Sequence, residues 1–191
     1  MASGSGSVVT VKSPLQFDPD KAIQTILYIA GKLGRDADLY KVLKTAYFAD
    51  RRHLERYGRF IFGDTYRRID YGPVPRQVYA MIGHLRQGKA WAPGPPQAEG
   101  MLRVERTRKR PVIVPLQEPD LDWFSRSDLE CLDEAIQECR PLTFDQLKDR
   151  GHDDAACRQT PLDGDMTIES IASTLPNSKE FLRYLRSQCS G

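Results

Sequence analysis

No apolar run in the chain approaches the roughly 20 residues that a membrane-spanning helix requires. The opening Met-Ala-Ser-Gly-Ser-Gly-Ser carries no apolar core of an export signal. Residues 1–14 read instead as a flexible tail of the kind that cloning leaves behind. Cys131, Cys139, Cys157 and Cys189 form no C-x-x-C pair. Reduced thiols in a cytoplasm are therefore the expectation, not a disulfide framework. G-x-S-x-G, G-x-x-x-x-G-K-[ST] and H-E-x-x-H are all missing. The expectation is accordingly a protein that is not an enzyme, with no catalytic residues, no cofactor and no metal. Nor is there an excess of one charge: 28 basic residues stand against 26 acidic ones, for a net charge of +2. Bulk electrostatics thus favour neither nucleic acid nor a membrane surface, although a local patch could still act.

What is present is helical periodicity interrupted once. Asp18-Pro19 can start a helix, with Asp18 capping free N–H groups and Pro19 at the first position. Ala22, Ile23, Ile26, Leu27, Ala30 and Leu33 then recur on one face, and Gly34 stops it. A second helix is expected from about residue 38 to 57, capped by Gly58. Its apolar face holds Leu39, Val42, Leu43, Ala46, Tyr47, Leu54 and Tyr57, and its polar face Lys41, Lys44, Arg51, Arg52 and Glu55. The period then breaks. Residues 59–73 are rich in aromatic and β-branched side chains and read as one or two short strands. A third helix is expected from Val74 or Pro75 to Gly88. Residues 92–100, with three prolines and two glycines, read as a loop.

Residues 101–116 read as a β-hairpin, with Leu102 and Val104 answered by Val112, Val114 and Leu116 across a basic turn. Ser127-x-x-Glu130 and Thr143-x-x-Gln146 read as capping boxes of two further helices, the second ending at Gly151. A last helix is expected from about residue 177 to 188. The fold class is therefore α+β, mainly α-helical: a single domain over residues 15–191, six or seven helices, and a small antiparallel sheet or hairpin in the middle.

Candidate sites are few. His53 and Glu55 lie two apart on a helix and point in different directions, so a solvated face is expected there. His152, Asp153, Asp154 and Cys157 cluster past a helix end, but lack the spacing of a zinc site. His152 is expected to be a structural hydrogen-bond donor. Arg103, Arg106, Arg108, Lys109 and Arg110 put five cations in eight residues of the hairpin. They could grip phosphates as a basic ribbon does, or simply keep an edge soluble. Gly72 and Pro73 read as a structural corner, because Gly frees one backbone angle and Pro fixes the next.

Tyr47-Phe48-Ala49-Asp50, His53-Leu54, Tyr57-Gly58, Gly63-Asp64-x-Tyr66 and Tyr71-Gly72-Pro73-Val74 leading to Tyr79 occur in that order. In these blocks the chain resembles the Panacea, or SocA-like, antitoxin domain over roughly residues 18–185. One block departs: the family tends to carry a Trp shortly after a His, whereas His152 is followed by Ala155, Ala156 and Cys157. The resemblance implies a cytoplasmic antitoxin of a type II toxin–antitoxin system, bacterial or phage-borne, that binds a cognate protein toxin encoded by a neighbouring gene. Two alternatives accompany it: a proteolytic adaptor that presents a toxic partner to a protease, and a regulator that binds nucleic acid through residues 103–110. Tyr66, Arg68, Tyr71, His53 and His152 are the expected toxin contacts. Tyr66 and Arg68 are included because alternation puts them on one face of a strand, and because Tyr and Arg are common hot-spot types; the alternative for Tyr66 is packing in the core.

Overall fold

The computed structural model describes residues 16–87 and 98–188. The expected tail at 1–14, the helix stop at Gly88, most of the loop at 92–100 and Cys189 lie outside the described residues. Helix α1 (Pro19–Leu33) starts as its sequence dictates, with Asp18 accepting from the Lys21 N–H and Pro19 in the first turn. It is enclosed on nearly every side: residues 22–30 are all buried. Its polar members are satisfied, since Thr25 donates to the Lys21 carbonyl and Gln24 accepts from the Asp120 N–H.

Helix α2 (Leu39–Tyr57) is the central post, and every residue from 39 to 50 is buried. Asp38 caps its start, and Gly58 closes its end at φ +77°, a left-handed angle that glycine takes without strain. The polar face expected on this helix is corrected in two places. Lys44 is fully buried and donates to the Pro73 carbonyl, while Lys41 lies inside and donates to the Arg140 carbonyl at 2.8 Å. A long side chain can hide its stem and spend its head group on a carbonyl of a distant segment. Conversely, Tyr57, expected inside, is 46% exposed.

After α2 the chain makes a hairpin of β1 (Tyr66–Ile69) and β2 (Gly72–Pro75), with Tyr66 opposite Pro75 and Ile69 opposite Gly72. Helix α3 (Arg76–Arg86) leaves from it one residue later than expected, because Pro75 is still paired in the sheet. A short turn of helix, α4 (Ala98–Met101), occupies part of the stretch expected to be loop. The second hairpin, β3 (Leu102–Glu105) and β4 (Val112–Pro115), pairs Leu102 with Pro115 and Val104 with Ile113. Ile113 is therefore the inward residue of β4. Val112 and Val114 are half-buried and Leu116 is exposed, which reverses the expected phase. The turn length sets this register, and one residue of slip exchanges the faces.

Helices α5 (Arg126–Cys139) and α6 (Phe144–Asp153) follow. The box on α6 is Thr143 with Gln146, as expected, but that on α5 is Ser125 with Asp128, two residues ahead of the expected pair. Gly151 does not end α6. It sits inside the helix, where a Cβ would come 3.2 Å from Pro73 Cδ and 3.4 Å from Lys44 Nζ, so its smallness serves close approach. Two short helices, α7 (Ala155–Gln159) and α8 (Ile168–Ala172), flank β5 (Asp165–Met166), which completes a three-stranded antiparallel sheet in the order β2-β1-β5. Helix α9 (Ser178–Gln188) closes the described chain. The class is α+β and mainly helical, as expected: the six longer helices are those the periodicity marks, and the additions are one-turn pieces.

Gly72 is one of the tight points of this architecture. Its φ is +90°, and a Cβ there would meet Lys44 Nζ at 2.9 Å and the Gly151 backbone at 3.4 Å. Gly72→Val is expected to cost about 1–3 kcal/mol or more from backbone strain alone, read as a lower urea midpoint with little change in slope. A midpoint equal to that of the parent chain would mean that the corner is not held as described.

Candidate functional site

The corner is fixed to α2 by a buried carboxylate. Asp50, fully buried, accepts from the Ile61 N–H at 2.7 Å and from the Tyr66 hydroxyl at 2.8 Å. Burial pushes its pKa up to about 7, against the lowering effect of those two donors. One turn further, Asp64 accepts from the backbone N–H groups of Gln77 and Val78 and so caps α3 from outside the helix. Burial raises its pKa to about 6, the capping N–H groups opposing. Pro75 stands where a capping side chain would be, so this borrowed cap serves the first turn of α3.

Tyr66 consequently belongs to the core. It is 0% exposed, packs on Tyr47 and Phe60, and its hydroxyl is spent on Asp50. The strand face on which a partner contact was expected is therefore not a surface at Tyr66. Arg68, half-buried, turns its Nη1 to the Thr160 carbonyl at 2.6 Å. His152 Nε2–H donates to the Asp70 carbonyl at 2.9 Å, the structural role expected of it.

His53 is corrected as well: its side chain is fully buried, not solvated. Its Nδ1–H donates to the Arg59 carbonyl at 2.9 Å, and Nε2 lies 3.0 Å from Ser127 Oγ and 3.1 Å from Asp128. Burial alone would raise the Asp128 pKa. Its partners His53, Lys21 and the Ser125 N–H together hold it well below the usual carboxylate range. The network joins α1, α2 and α5. Among the described residues, no cluster of His, Cys, Asp or Glu is arranged to hold a metal. Asp154, one of the candidates, caps α7 at the Cys157 N–H and pairs with Arg51 at 3.0 Å.

The basic run is divided by its surroundings. Arg103 pairs with Glu105 at 2.6 Å, and the Arg110 guanidinium lies over the Phe144 ring at 3.7 Å. Only Arg106, Arg108 and Lys109 remain at the hairpin tip, which weakens the case for a phosphate-gripping ribbon.

Tyr71 is the expected contact residue that does reach a surface with shape. It occupies the two-residue turn between β1 and β2, is 47% exposed, and faces a groove of about 460 Å³. Tyr40, Tyr79 and Phe144 form the other aromatic walls, and Leu39, Leu43 and Val74 the apolar floor. Arg86, Lys109 and Arg110 stand at its rim. The walls brace one another. Tyr40 donates to the Tyr71 carbonyl and stacks on Phe144 with centroids 4.6 Å apart, and Tyr71 meets Phe144 edge-on at 5.5 Å. Tyr71, one of the expected contacts, and Tyr79 both stand in the blocks that carried the family resemblance. Tyr40, Phe144 and Arg86 carried no signal, because each comes from a different element and only the fold brings them together.

The scaffold is thus a helical domain whose small sheet presents an aromatic groove. The family described as Antitoxin SocA-like, Panacea domain, matches residues 42–157, from within α2 to the middle of α7. That is more than half of the chain, and the chain belongs to this family. No curated protein and no solved structure matches it.

The raised pKa of Asp50 has a sign that can be tested. Its folded pKa, about 7, exceeds the unfolded value, so between about pH 4 and 7 the folded state holds a proton that the unfolded state has released. Stability should then fall as pH rises through that window. Asp50→Asn should remove about 2–3 kcal/mol of the difference between pH 5 and pH 8. Urea melts of both proteins at the two pH values measure it, and an unchanged pH slope in the variant would count against the buried, partly protonated carboxyl.

Proposed function

We propose that the protein is a non-enzymatic, cytoplasmic antitoxin that neutralises a protein toxin encoded by a neighbouring gene through direct binding. Membership of the Panacea domain family is the observation that carries this. The chemistry of the exposed corner agrees with it. Two half-exposed tyrosines, two arginines and Lys109 surround one concavity, and Tyr and Arg are among the residue types enriched in protein–protein hot spots. No helix of the described residues is long and apolar enough to cross a membrane. A neutralising complex of ordinary stability would bury about 1,200–2,000 Å² in total.

Co-expression with each adjacent gene tests the proposal. One neighbour is expected to arrest growth when expressed alone, to be harmless with this protein, and to co-purify with it as a discrete complex. If no neighbour is toxic, or a toxic one is neither neutralised nor bound, the protein is not its antitoxin.

A further inference from the structure

We propose that the groove between the corner, α3 and the second hairpin is a docking site for a short acidic segment of the partner protein. One bulky apolar side chain of that segment would sit among Tyr71, Tyr79 and Phe144, with carboxylates on Arg86, Lys109 and Arg110. The proposal rests on the antitoxin reading for one thing only, the identity of the partner as the toxin.

Size and shape come first. The groove, about 460 Å³, falls in the range of sites that enclose ligand-sized groups. A second hollow of about 360 Å³ shares Leu39, Tyr79 and Arg86 with it and continues along α3. The two together make a trough, which suits an extended chain better than a compact molecule. The walls are fixed before anything binds. Tyr71 sits in a turn set by the positive φ of Gly72, its carbonyl accepts from Tyr40, and Arg110 is stacked on Phe144. A preorganised site spends less on ordering itself, so more of the contact energy appears as affinity.

Charge then selects the occupant. The described lining contains three cations and no carboxylate. Arg86 and Lys109 have no acidic partner among the described residues, as Arg106 and Arg108 of the same hairpin have none, whereas Arg103 is paired with Glu105. Asp38, close by at the start of α2, is committed to capping the Lys41 N–H. Lys148 adds a further cation 6.0 Å from the Tyr71 ring centroid. Unpaired cations around an apolar concavity are complementary to a segment of opposite charge with an apolar anchor.

Selection of phage-displayed random peptides on the immobilised full chain tests the groove without reference to any toxin. The enriched peptides are expected to carry an aromatic or large aliphatic residue flanked by Asp or Glu. A synthetic copy, followed by fluorescence anisotropy, should lose about tenfold or more in affinity with Tyr79→Ala, the cost of a hot-spot side chain. The same loss is expected with Arg86→Glu combined with Lys109→Glu, and no change with Tyr184→Ala, an exposed aromatic on α9. Binding should also weaken as salt is raised. An absence of enrichment, enriched peptides without acidic residues, or equal affinity for the variants would each overturn the docking site. So would a wild-type dimer that Tyr79→Ala dissociates, which would assign the groove to a second copy of this chain. The same variants, co-expressed with the toxic neighbour, should fail to neutralise it, and full neutralisation by them would show that the toxin docks elsewhere. If no neighbour is toxic, the antitoxin reading fails while the peptide result still decides the groove.

Discussion

The carboxylate of Asp50 is the joint on which the rest of the protein depends. It is a buried acceptor that ties α2 to both segments following it, the loop at Ile61 and the strand at Tyr66. With Tyr66 held against Tyr47 and Phe60, β1 runs over the central helix, and β2 must return beside it. Asp64 then receives the first N–H groups of α3 and sets the direction in which that helix departs. Two acids, one in the helix and one in the loop, thereby convert a local bend into a fixed angle between α2 and α3. Burial strains both, since it favours their protonated forms, and the compensation comes first from hydrogen bonds, with the charge of Arg76 adding to it at Asp64.

The same logic of distant compensation governs the other buried charges. Lys44 has its pKa lowered well below the ordinary value by burial, with Cys157 and Asp154 opposing, and its one hydrogen bond goes to a carbonyl of the corner. Asp128 meets the opposite fate, surrounded by donors from α1, from Arg59 just past α2 and from its own capping box until the ionised form is favoured. What remains for the outer surface of the corner is aromatic. The tyrosines of the groove are braced by one another and by the cation stacked on Phe144, which leaves their free faces available.

Legibility in the sequence followed the range of the interaction. Asp18 with Pro19, Thr143 with Gln146 and Gly58 act within one turn of their own helix, and each stands where the sequence puts it. Gly72 was legible as a corner because the conformational freedom of glycine beside a proline is local too. Lys44 was misread because its partner lies 29 residues away, and His53 because Ser127 lies 74 residues away. Helical periodicity presumes a helix with one wet face, whereas α2 is surrounded from residue 39 to 50, so polarity marked no surface over that stretch. The phase of β4 was lost for a different reason: a basic turn of six residues fixes the register, and composition does not count its steps. The groove was the least legible feature, since its walls come from α2, the β1–β2 turn, α3, the hairpin and α6.

The close packing of Lys44, Gly72 and Gly151 has an evolutionary corollary. The ammonium group fits only because two backbones, one in a turn and one inside a helix, present bare Cα atoms to it. No one of the three positions is free to vary by itself. A side chain at Gly72 would crowd Lys44 and strain the backbone as well, one at Gly151 would press on Pro73, and a shorter residue at 44 would leave a void and a carbonyl without its donor. The three are a single heritable unit spread over 108 residues of chain, and descendants of this sequence can leave the present solution only by changing it at more than one place at once.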